Sequence, residues 1–420
     1  MVRSLLHRSF VAPFQSVERV FGYAGGFLGT FGFTGALTYF SYDFAQFGPW
    51  ALMAYFFGRL VIGGAFAMPV SLYLFYRCTK RRAYTILIGT QIATMGVISL
   101  YPEWMFSQNL GMIALVGLIF SFISAPFWSS FHLNMLCHTS DDNMGNEVSI
   151  SSIVLFFGST LAFLCAGVAL TYMPGAMFVL VCFGFLIIGT IFFALAGRGR
   201  SIDHLQRKPF KIIASMRKNT SMVKATFMEG VFQFLTGFFA PVWMWAVGIK
   251  SLTMGMLMSF QGIAKLVISP LAGHLFHENK GRDVVLGAML KPLGWIPWIF
   301  IQAPWVMLLS TSIWTLGQHL YSTGLGSRWY KERCLASQAG REMVLALGRI
   351  VTACLVVPVL YVYGPHVFFI VAFLATCCIL LAALSLRKRE RIPVSHGATH
   401  AQAAHHAPLA PSDSTPFPPP

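Results

Sequence analysis

Five charged side chains fall inside long apolar segments of the sequence, where a charged side chain is energetically costly. Four are the cations Arg59, Lys265, Lys291 and Arg349, and the fifth is the carboxylate Glu229. A charge in hydrocarbon costs about 3 kcal/mol on insertion scales, so these positions are the first functional candidates. Cations outnumber carboxylates, which predicts a positive interior. For Lys291 and Arg349 the alternative is a side chain that snorkels to the interface or bridges helices, and we favour it for Lys291.

Polar neighbours one helical turn away extend this set into a candidate binding site. Tyr55 shares a face with Arg59, and Gln261 with Lys265, because residues three or four apart stack on one side of a helix. An arginine fork suits a carboxylate or phosphate, and a lysine acts as a point charge. We therefore predict that an anionic group binds to Arg59, Lys265, Arg349, Gln261 and Tyr55.

Three titratable side chains are candidates for taking up and releasing a proton. A desolvated Glu or His can change its protonation near neutral pH. Glu229 is the carboxylate candidate, and His132 and His319 are the alternates. A buried histidine that is satisfied by hydrogen bonds is the more common case, and it stays open for both histidines.

Charged residues at the ends of the apolar segments form a candidate gate. They are Arg77, Arg81, Arg82, Asp141, Asp142, Glu147, Arg282, Arg341 and Glu342. If the carboxylates pair with the arginines only when that side is closed, breaking the pairs opens it. Ordinary surface pairs, worth about 0 to 1 kcal/mol, are the alternative.

The composition identifies a membrane protein. Hydrophobic residues make up 56% of the 420-residue chain and charged residues 10%, which excludes an ordinary soluble domain. About twelve apolar runs approach or exceed the roughly twenty residues that cross the hydrocarbon. We predict an all-α, polytopic membrane protein of about 12 transmembrane helices.

The positions of Lys and Arg predict the orientation of the chain. The formal net charge is +16, and outside the apolar segments only Lys250 lies on the side opposite the basic loops. The positive-inside rule then places both termini in the cytoplasm. We expect an integral protein of the bacterial inner (plasma) membrane, with an organellar membrane as the alternative. Membrane lipids, and not nucleic acid, are the expected partners of the basic loops.

Changes in composition divide the chain into five regions. We predict a cytoplasmic amphipathic N-terminus (1–19), an N-terminal six-helix bundle (20–196), a basic cytoplasmic linker (197–221), a C-terminal six-helix bundle (222–388) and a disordered Pro-, Ala- and His-rich cytoplasmic tail (389–420). The Arg-rich N-terminus also resembles a mitochondrial presequence in its composition. The tail histidines are metal-ligand types, but a tail without specific affinity is the favoured interpretation.

Two triplets indicate that the bundles form a parallel pseudo-repeat. Gly145-Asn146-Glu147 precedes the fifth span, and Gly340-Arg341-Glu342 precedes the eleventh. Each triplet lies where a loop on the side of the basic loops joins the span that follows it. A parallel repeat places equivalent residues at equivalent positions in the two halves.

This layout resembles the major facilitator superfamily of secondary transporters. The segment from Gly273 to Arg282 is similar to that family's G-x-x-x-D-x-x-G-R-R loop, with His277 in the acidic position and one extra residue. The resemblance implies two six-helix bundles around a central cavity. The cavity would be lined by the first, second, fourth and fifth helices of each half. The fifth span has no Gly-Pro antiporter motif, which argues against drug/proton antiport.

The sequence therefore predicts a transporter and leaves two alternatives open. The prediction is a monomeric secondary active transporter that moves a small, anionic solute by alternating access, as a symporter or uniporter, with a proton as the coupling ion and without a cofactor or metal. A membrane-embedded transferase-type enzyme is one alternative, with His138, Asp141 and Asp142 as its candidate cluster. A solute sensor or channel is the other.

Overall fold

The structure is a computed structural model that describes most of the chain. The described residues are 16–100, 102–138, 144–198, 202–235, 250–260, 262–263, 266, 282–300, 304–363 and 365–391. Within these ranges every regular element is a helix, which confirms the predicted all-α fold.

The first half contains six long helical stretches. They are α1 (Val17–Gln46), a continuous run of α2 (Pro49–Phe56), a π-helix (Phe57–Ala67) and α3 (Met68–Arg77), then α4 (Lys80–Leu100), α5 (Leu110–His138), α6 (Met144–Tyr172) and α7 (Gly175–Ala196). A short 3₁₀-helix (Pro102–Phe106) connects α4 to α5. Each long stretch has the length that a membrane crossing requires.

The linker and the second half follow the same plan. They contain α8 (Asp203–Gln206), α9 (Ile212–Lys218), α10 (Thr220–Gln233), α11 (Ser251–Phe260), α12 (Arg282–Phe300), α13 (Pro304–Lys331), α14 (Leu335–Tyr363) and α15 (Pro365–Arg391). Each of the twelve predicted spans thus contains a helix in its described part. Residues 236–249 and 267–281, next to α10 and α11, lie outside the described residues.

Five of the described helices are long and apolar enough to cross a membrane by length and composition alone. They are Trp50–Arg77, Lys80–Leu100, Leu110–His138, Glu147–Tyr172 and Gly175–Ala196. All five belong to the first half. In the second half, α10 and α12 carry the buried charges Glu229 and Lys291, and packing inside the protein keeps these charges out of the hydrocarbon. The polytopic membrane class is confirmed.

Close backbone contact joins the second and fourth spans in the first half. Gly117 of α5 faces the carbonyl of Tyr55 and the amide of Arg59, where a Cβ atom would collide with backbone. Ser121, one turn further along α5, donates a hydrogen bond to the carbonyl of Arg59 at 2.9 Å. Small residues allow this approach, and interhelical hydrogen bonds then hold it. The backbone that carries Arg59 is fixed by α5.

The two halves meet on the side of the molecule away from the linker, which we name the far side. The hydroxyls of Thr171 in α6 and Ser251 in α11 hydrogen-bond at 2.8 Å. The rings of Phe56 and Phe234 pack edge to face, with centroids 5.3 Å apart. These contacts connect the first half to α11 and to the end of α10.

The linker helices connect the halves on the opposite side, the linker side. Gln206 of α8 donates hydrogen bonds to the carbonyls of Phe75 and Cys78 at 2.8 and 2.9 Å, and so caps α3. Ser215 of α9 hydrogen-bonds Ser337 of α14 at 2.7 Å. The linker therefore binds one element from each half. The ends of the predicted N-terminal and tail regions, 1–15 and 392–420, lie outside the described residues.

We expect Gly117→Ala to destabilise the protein by about 1–3 kcal/mol, because the new methyl group overpacks the contact between α5 and the second span. The matched control is Gly89→Ala in α4, where nothing lies within 4 Å of the added methyl group. There the higher helix propensity of alanine should leave stability unchanged or raise it by up to about 1 kcal/mol. Unfolding of the purified variants in detergent measures both. Equal effects would contradict the packing described for Gly117.

Candidate functional site

A cavity of about 430 Å³ lies between the two halves. Its walls come from α1, the second span, α5 and α6 of the first half and from α10, α11, α13 and α14 of the second. These are the first, second, fourth and fifth helices of each half, as the resemblance implied. The cavity volume falls in the range of small-molecule sites, about 300–1,000 Å³.

Seven of the predicted site residues line this one cavity. They are Arg59, His132, Glu229, His319, Arg341, Glu342 and Arg349. They come from the second span, α5, α10, α13 and α14, which are far apart in the sequence. The fold therefore brings two of the five predicted binding residues together with all three proton-coupling candidates and two residues of the predicted gate.

Arg59 forms the charged part of the first-half wall. It is 6% exposed, and its guanidinium lies over the rings of Phe33 and Phe120 at 5.1 and 4.9 Å from the centroids. These aromatic faces stabilise a cation by about 0.5–2 kcal/mol each. Arg59 also belongs to the eleven-residue π-helix, a rare conformation that is found most often at functional sites. Arg59 is thus held at the cavity by its own π-helix and by aromatic rings of α1 and α5.

A hydrogen-bonded chain of three side chains forms the second-half wall. Gln233 donates from Nε2 to Oε1 of Glu229 at 3.1 Å, and Arg349 donates from Nη2 to Oε1 of Gln233. Glu229 is fully buried. The amide of Gln233 accepts from the cation and donates to the carboxylate, so it links α10 to α14. Gln233 was not among the predicted binding residues, although it lies one turn from Glu229.

A second polar cluster closes the linker-side end of the cavity. His132 of α5 hydrogen-bonds Tyr330 of α13 through Nδ1 at 2.5 Å, and its Nε2 lies 3.3 Å from Glu342 of α14. Arg341 lies 3.1 Å from the same carboxylate. With Nε2 protonated and Nδ1 accepting from the tyrosine hydroxyl, a neutral histidine satisfies both contacts. This cluster joins the first half to two helices of the second.

The rest of the wall is largely apolar. Aromatic side chains from both halves contribute, namely Trp128, Phe131, Phe156, Phe163 and Trp314. His319 is buried among them, with its ring 5.0 Å from that of Phe156 and 1% exposed. A solute held here therefore meets charged groups at a few positions and aromatic surface elsewhere, which is the usual make-up of a ligand site.

Of the other predicted binding residues, the structure describes Tyr55, which does not line the cavity. Tyr55 is fully buried and packs against Phe40 and Phe44, with centroids 5.7 and 5.3 Å apart, behind the cavity wall. Tyr55 and Arg59 nevertheless interact electrostatically, as neighbours one turn apart on the second span can. Lys265 and Gln261 lie outside the described residues.

Arg341 and Glu342 lie in the cavity wall, whereas the sequence analysis placed them at the surface with the gate. Each side chain is 12% exposed. Their helix, α14, begins at Leu335, so both residues lie about two turns inside it. The apolar run of the eleventh span begins at Val344, after both residues, which is why the sequence predicts them outside the span. The polar start of this helix is buried all the same.

The gate remains a prediction for the other residues, since two of its carboxylates are not among the described residues. Arg77 donates from Nε to the hydroxyl of Tyr73 at 2.8 Å. Arg81, Arg82 and Arg282 are exposed. Asp141 and Asp142 lie outside the described residues.

Glu147 also has a different partner from the one expected. It pairs with Arg19 of α1 at 3.2 Å, a residue that the sequence analysis did not select. Its counterpart in the pseudo-repeat, Glu342, pairs instead with Arg341 and His132. The two triplets thus occupy comparable places in the chain, but their carboxylates hold different helices together.

Lys291 of α12 is fully buried behind the second-half wall and does not reach the surface. Its ammonium lies over the ring of Tyr321 at 3.8 Å and over that of Phe232 at 4.3 Å. It therefore bridges α12 to α13 and α10, in agreement with the bridging form of the sequence interpretation. Phe232 is three residues from Glu229 on α10, so the ammonium and the carboxylate lie near each other.

Solved structures show the same architecture. A crystal structure of an auto-inhibited POT family peptide transporter matches with a TM-score of 0.65 and 14% identity over 89% of this chain and 97% of that one. A human organic anion transporter, MFSD10 (TETRAN), matches with a TM-score of 0.61 and 12% identity over 88% of this chain and 100% of that one. No protein-family model and no curated protein matches the sequence. The chain has the fold of major facilitator superfamily transporters, which confirms the resemblance.

We expect the hydrogen bond between His132 and Tyr330 to appear as a coupling energy between the two halves. A double-mutant cycle of His132→Ala and Tyr330→Phe should give about 0.5–3 kcal/mol, because the residues are in direct contact. Denaturant unfolding in mixed micelles measures it. The control cycle pairs His132→Ala with Tyr321→Phe, whose hydroxyl bonds the carbonyl of Ala225 within the second half. That cycle should be additive within about 0.5 kcal/mol. Additivity in both cycles would contradict the cross-half contact.

Proposed function

We propose that the protein is a secondary active transporter that moves a small, anionic solute across the membrane by alternating access. The observation that carries the proposal is the cavity between the halves, with Arg59 on one wall and Arg349 on the other. A solute that contacts both halves at once can favour one arrangement of the halves over another. Differential affinity of this kind is what couples binding to a conformational change.

The charges of the cavity favour an anion. Arg59 and Arg349 place like charges on opposite walls of one cavity, and like charges repel each other. An anionic group between them would relieve this repulsion and accept charge-assisted hydrogen bonds from both sides, and arginine forks suit carboxylate and phosphate geometry. Of the two similar structures, one is an organic anion transporter and the other a peptide transporter, and neither is described as an enzyme.

The contacts on the two sides of the cavity are the candidates for alternate opening. His132, Tyr330 and Glu342 join the halves on the linker side, and Thr171 and Ser251 join them on the far side. Each set has to separate when its side opens. In this proposal the linker side is cytoplasmic, in a bacterial inner membrane, and the protein acts as a monomer.

The proposed coupling ion is a proton, with Glu229 as its carrier. Glu229 is buried at the cavity wall, and its Oε2 makes no hydrogen bond within the described part of the chain. This leaves a position for a proton next to the solute. His132 and His319 are the further proton-coupling candidates, since both line the cavity.

Uptake into liposomes tests the anion site. The reconstituted protein is given labelled organic anions and neutral metabolites, and we expect saturable uptake of an anion that falls about tenfold or more in Arg59→Gln and in Arg349→Gln. Each variant removes a charge-assisted hydrogen bond worth about 1.5–3 kcal/mol. Arg198→Gln is the matched control, since Arg198 is exposed at the start of the linker. Full uptake in both cavity variants would contradict the proposal.

An imposed pH gradient tests the coupling. We expect uptake to rise when the side that supplies the solute is made acidic, and this dependence to vanish in Glu229→Gln, because the amide cannot take up the proton. Binding of the solute should persist in that variant. Uptake that ignores the gradient in the unmodified protein would instead show facilitated diffusion and remove Glu229 from the coupling role.

A further inference from the structure

The charge of Glu229 is balanced from behind the cavity wall as well as from within the cavity. Lys291 reaches from α12 between α13 and α10, and its ammonium makes no hydrogen bond within the described residues. The faces of Tyr321 and Phe232, at 3.8 and 4.3 Å, attract a cation through their quadrupoles. Burial of Lys291 disfavours its ammonium form, and the electrostatic attraction of Glu229 opposes this effect. In a medium of low dielectric constant such attraction is strong.

The position of Lys291 is fixed by the same aromatic residues that surround it. The hydroxyl of Tyr321 donates to the carbonyl of Ala225 at 2.8 Å, one turn before Glu229 on α10. Phe232 lies almost one turn after Glu229 on the same helix. The ring of each residue therefore holds the ammonium against the segment of α10 that carries the carboxylate. The bridge is built into the packing of three helices.

The charges around the cavity do not balance. Among the carboxylates of the described residues, those in the cavity wall are Glu229 and Glu342. Three arginines share that wall, namely Arg59, Arg341 and Arg349. With Lys291 behind it, four cations face two carboxylates within the described part of the chain. The histidines are counted as neutral, and Lys265 is not counted because it lies outside the described residues.

Local ion pairs cancel some of these charges, so the positive excess is not spread evenly over the cavity wall. Arg341 and Glu342 form a pair at 3.1 Å on the linker side. Lys291 compensates Glu229 on the side away from the cavity, so the carboxylate offers less charge to Arg349. The positive excess then falls on the part of the cavity between Arg59 and Arg349, one from each half. Two positive charges in excess are best matched by two negative charges on one solute.

We propose that the cavity selects an organic dianion, such as a dicarboxylate or a phosphate monoester, and that Lys291 is the positioning residue that sets this selectivity by neutralising Glu229 from behind. This inference rests on the proposed transport function and names the substrate class of its site. The aromatic side chains of the wall then cover the carbon skeleton between or beside the anionic groups.

Matched ligands that differ only in charge test the proposal. The probes are succinate, its monoamide and its diamide, and the same series from adipate, at constant ionic strength and pH 7.5. Their affinities for the purified full-length protein follow from ligand-dependent shifts of the unfolding temperature. We expect at least one of the two dianions to bind about tenfold or more tightly than its monoamide, and its diamide to bind most weakly.

Variants of the pair behind the wall show whether Lys291 sets the preference. In Lys291→Met the excess falls by one charge, so the ratio of dianion to monoamide affinity should fall to about threefold or less. Lys291→Met combined with Glu229→Gln restores the excess of two and should restore a ratio of about tenfold or more. Lys291→Arg keeps the charge and should keep the ratio. Because the double variant regains the preference, a fall in the single variant cannot be attributed to misfolding.

Three results would overturn the inference. They are equal affinity for a dianion and its monoamide, no binding of any probe, and an unchanged ratio in Lys291→Met. Each applies whether or not the protein transports the probe. Conversely, dianion-selective binding without uptake into liposomes would support the charge assignment and count against the proposed transport function, so the two failures are distinguishable.

Discussion

The scarcity of water inside the membrane is the constraint on which this structure depends. A charge in hydrocarbon is costly, so a chain that retains buried Arg, Lys and Glu side chains must surround each with opposite charge or aromatic faces. Arg59 lies between Phe33 and Phe120, and Lys291 lies over Tyr321 and Phe232. These arrangements decide which helices pack together. The charged groups are therefore part of the packing as well as of the site.

The halves are joined by contacts of different kinds on the two sides of the cavity. On the far side backbones approach directly where Gly167 of α6 meets Gly255 of α11, as they do within the first half where Gly117 meets the second span. On the linker side, polar contacts of His132 with Tyr330 and Glu342 join the halves. Close backbone packing resists separation, whereas hydrogen bonds can be exchanged for bonds to water or to a solute. The contacts that exchange most readily are therefore those of the linker side.

The sequence was sufficient to predict the architecture and to identify the residues whose burial in a membrane costs free energy. Apolar runs located the spans, and intramembrane charges located Arg59, Glu229 and Arg349. It was insufficient where position depends on packing. Glu342 was assigned to the surface because hydropathy detects the apolar part of α14 and not its buried polar start. The contact between His132 and Tyr330 joins residues 198 positions apart, and local pattern carries no signal for it.

The two walls of the cavity hold their arginines in different ways. Ser121 fixes the backbone of Arg59, and two aromatic rings fix its guanidinium. Arg59 also lies in a π-helix, which the sequence did not predict. Arg349 is held through Gln233, a neutral amide whose hydrogen bonds a bound solute can replace. The first-half arginine is thus held by backbone and aromatic packing, and the second-half arginine by a hydrogen bond to a neutral amide. In the proposed transport cycle, a solute would meet Arg59 in a position fixed by packing and would compete with Gln233 for the hydrogen bonds of Arg349.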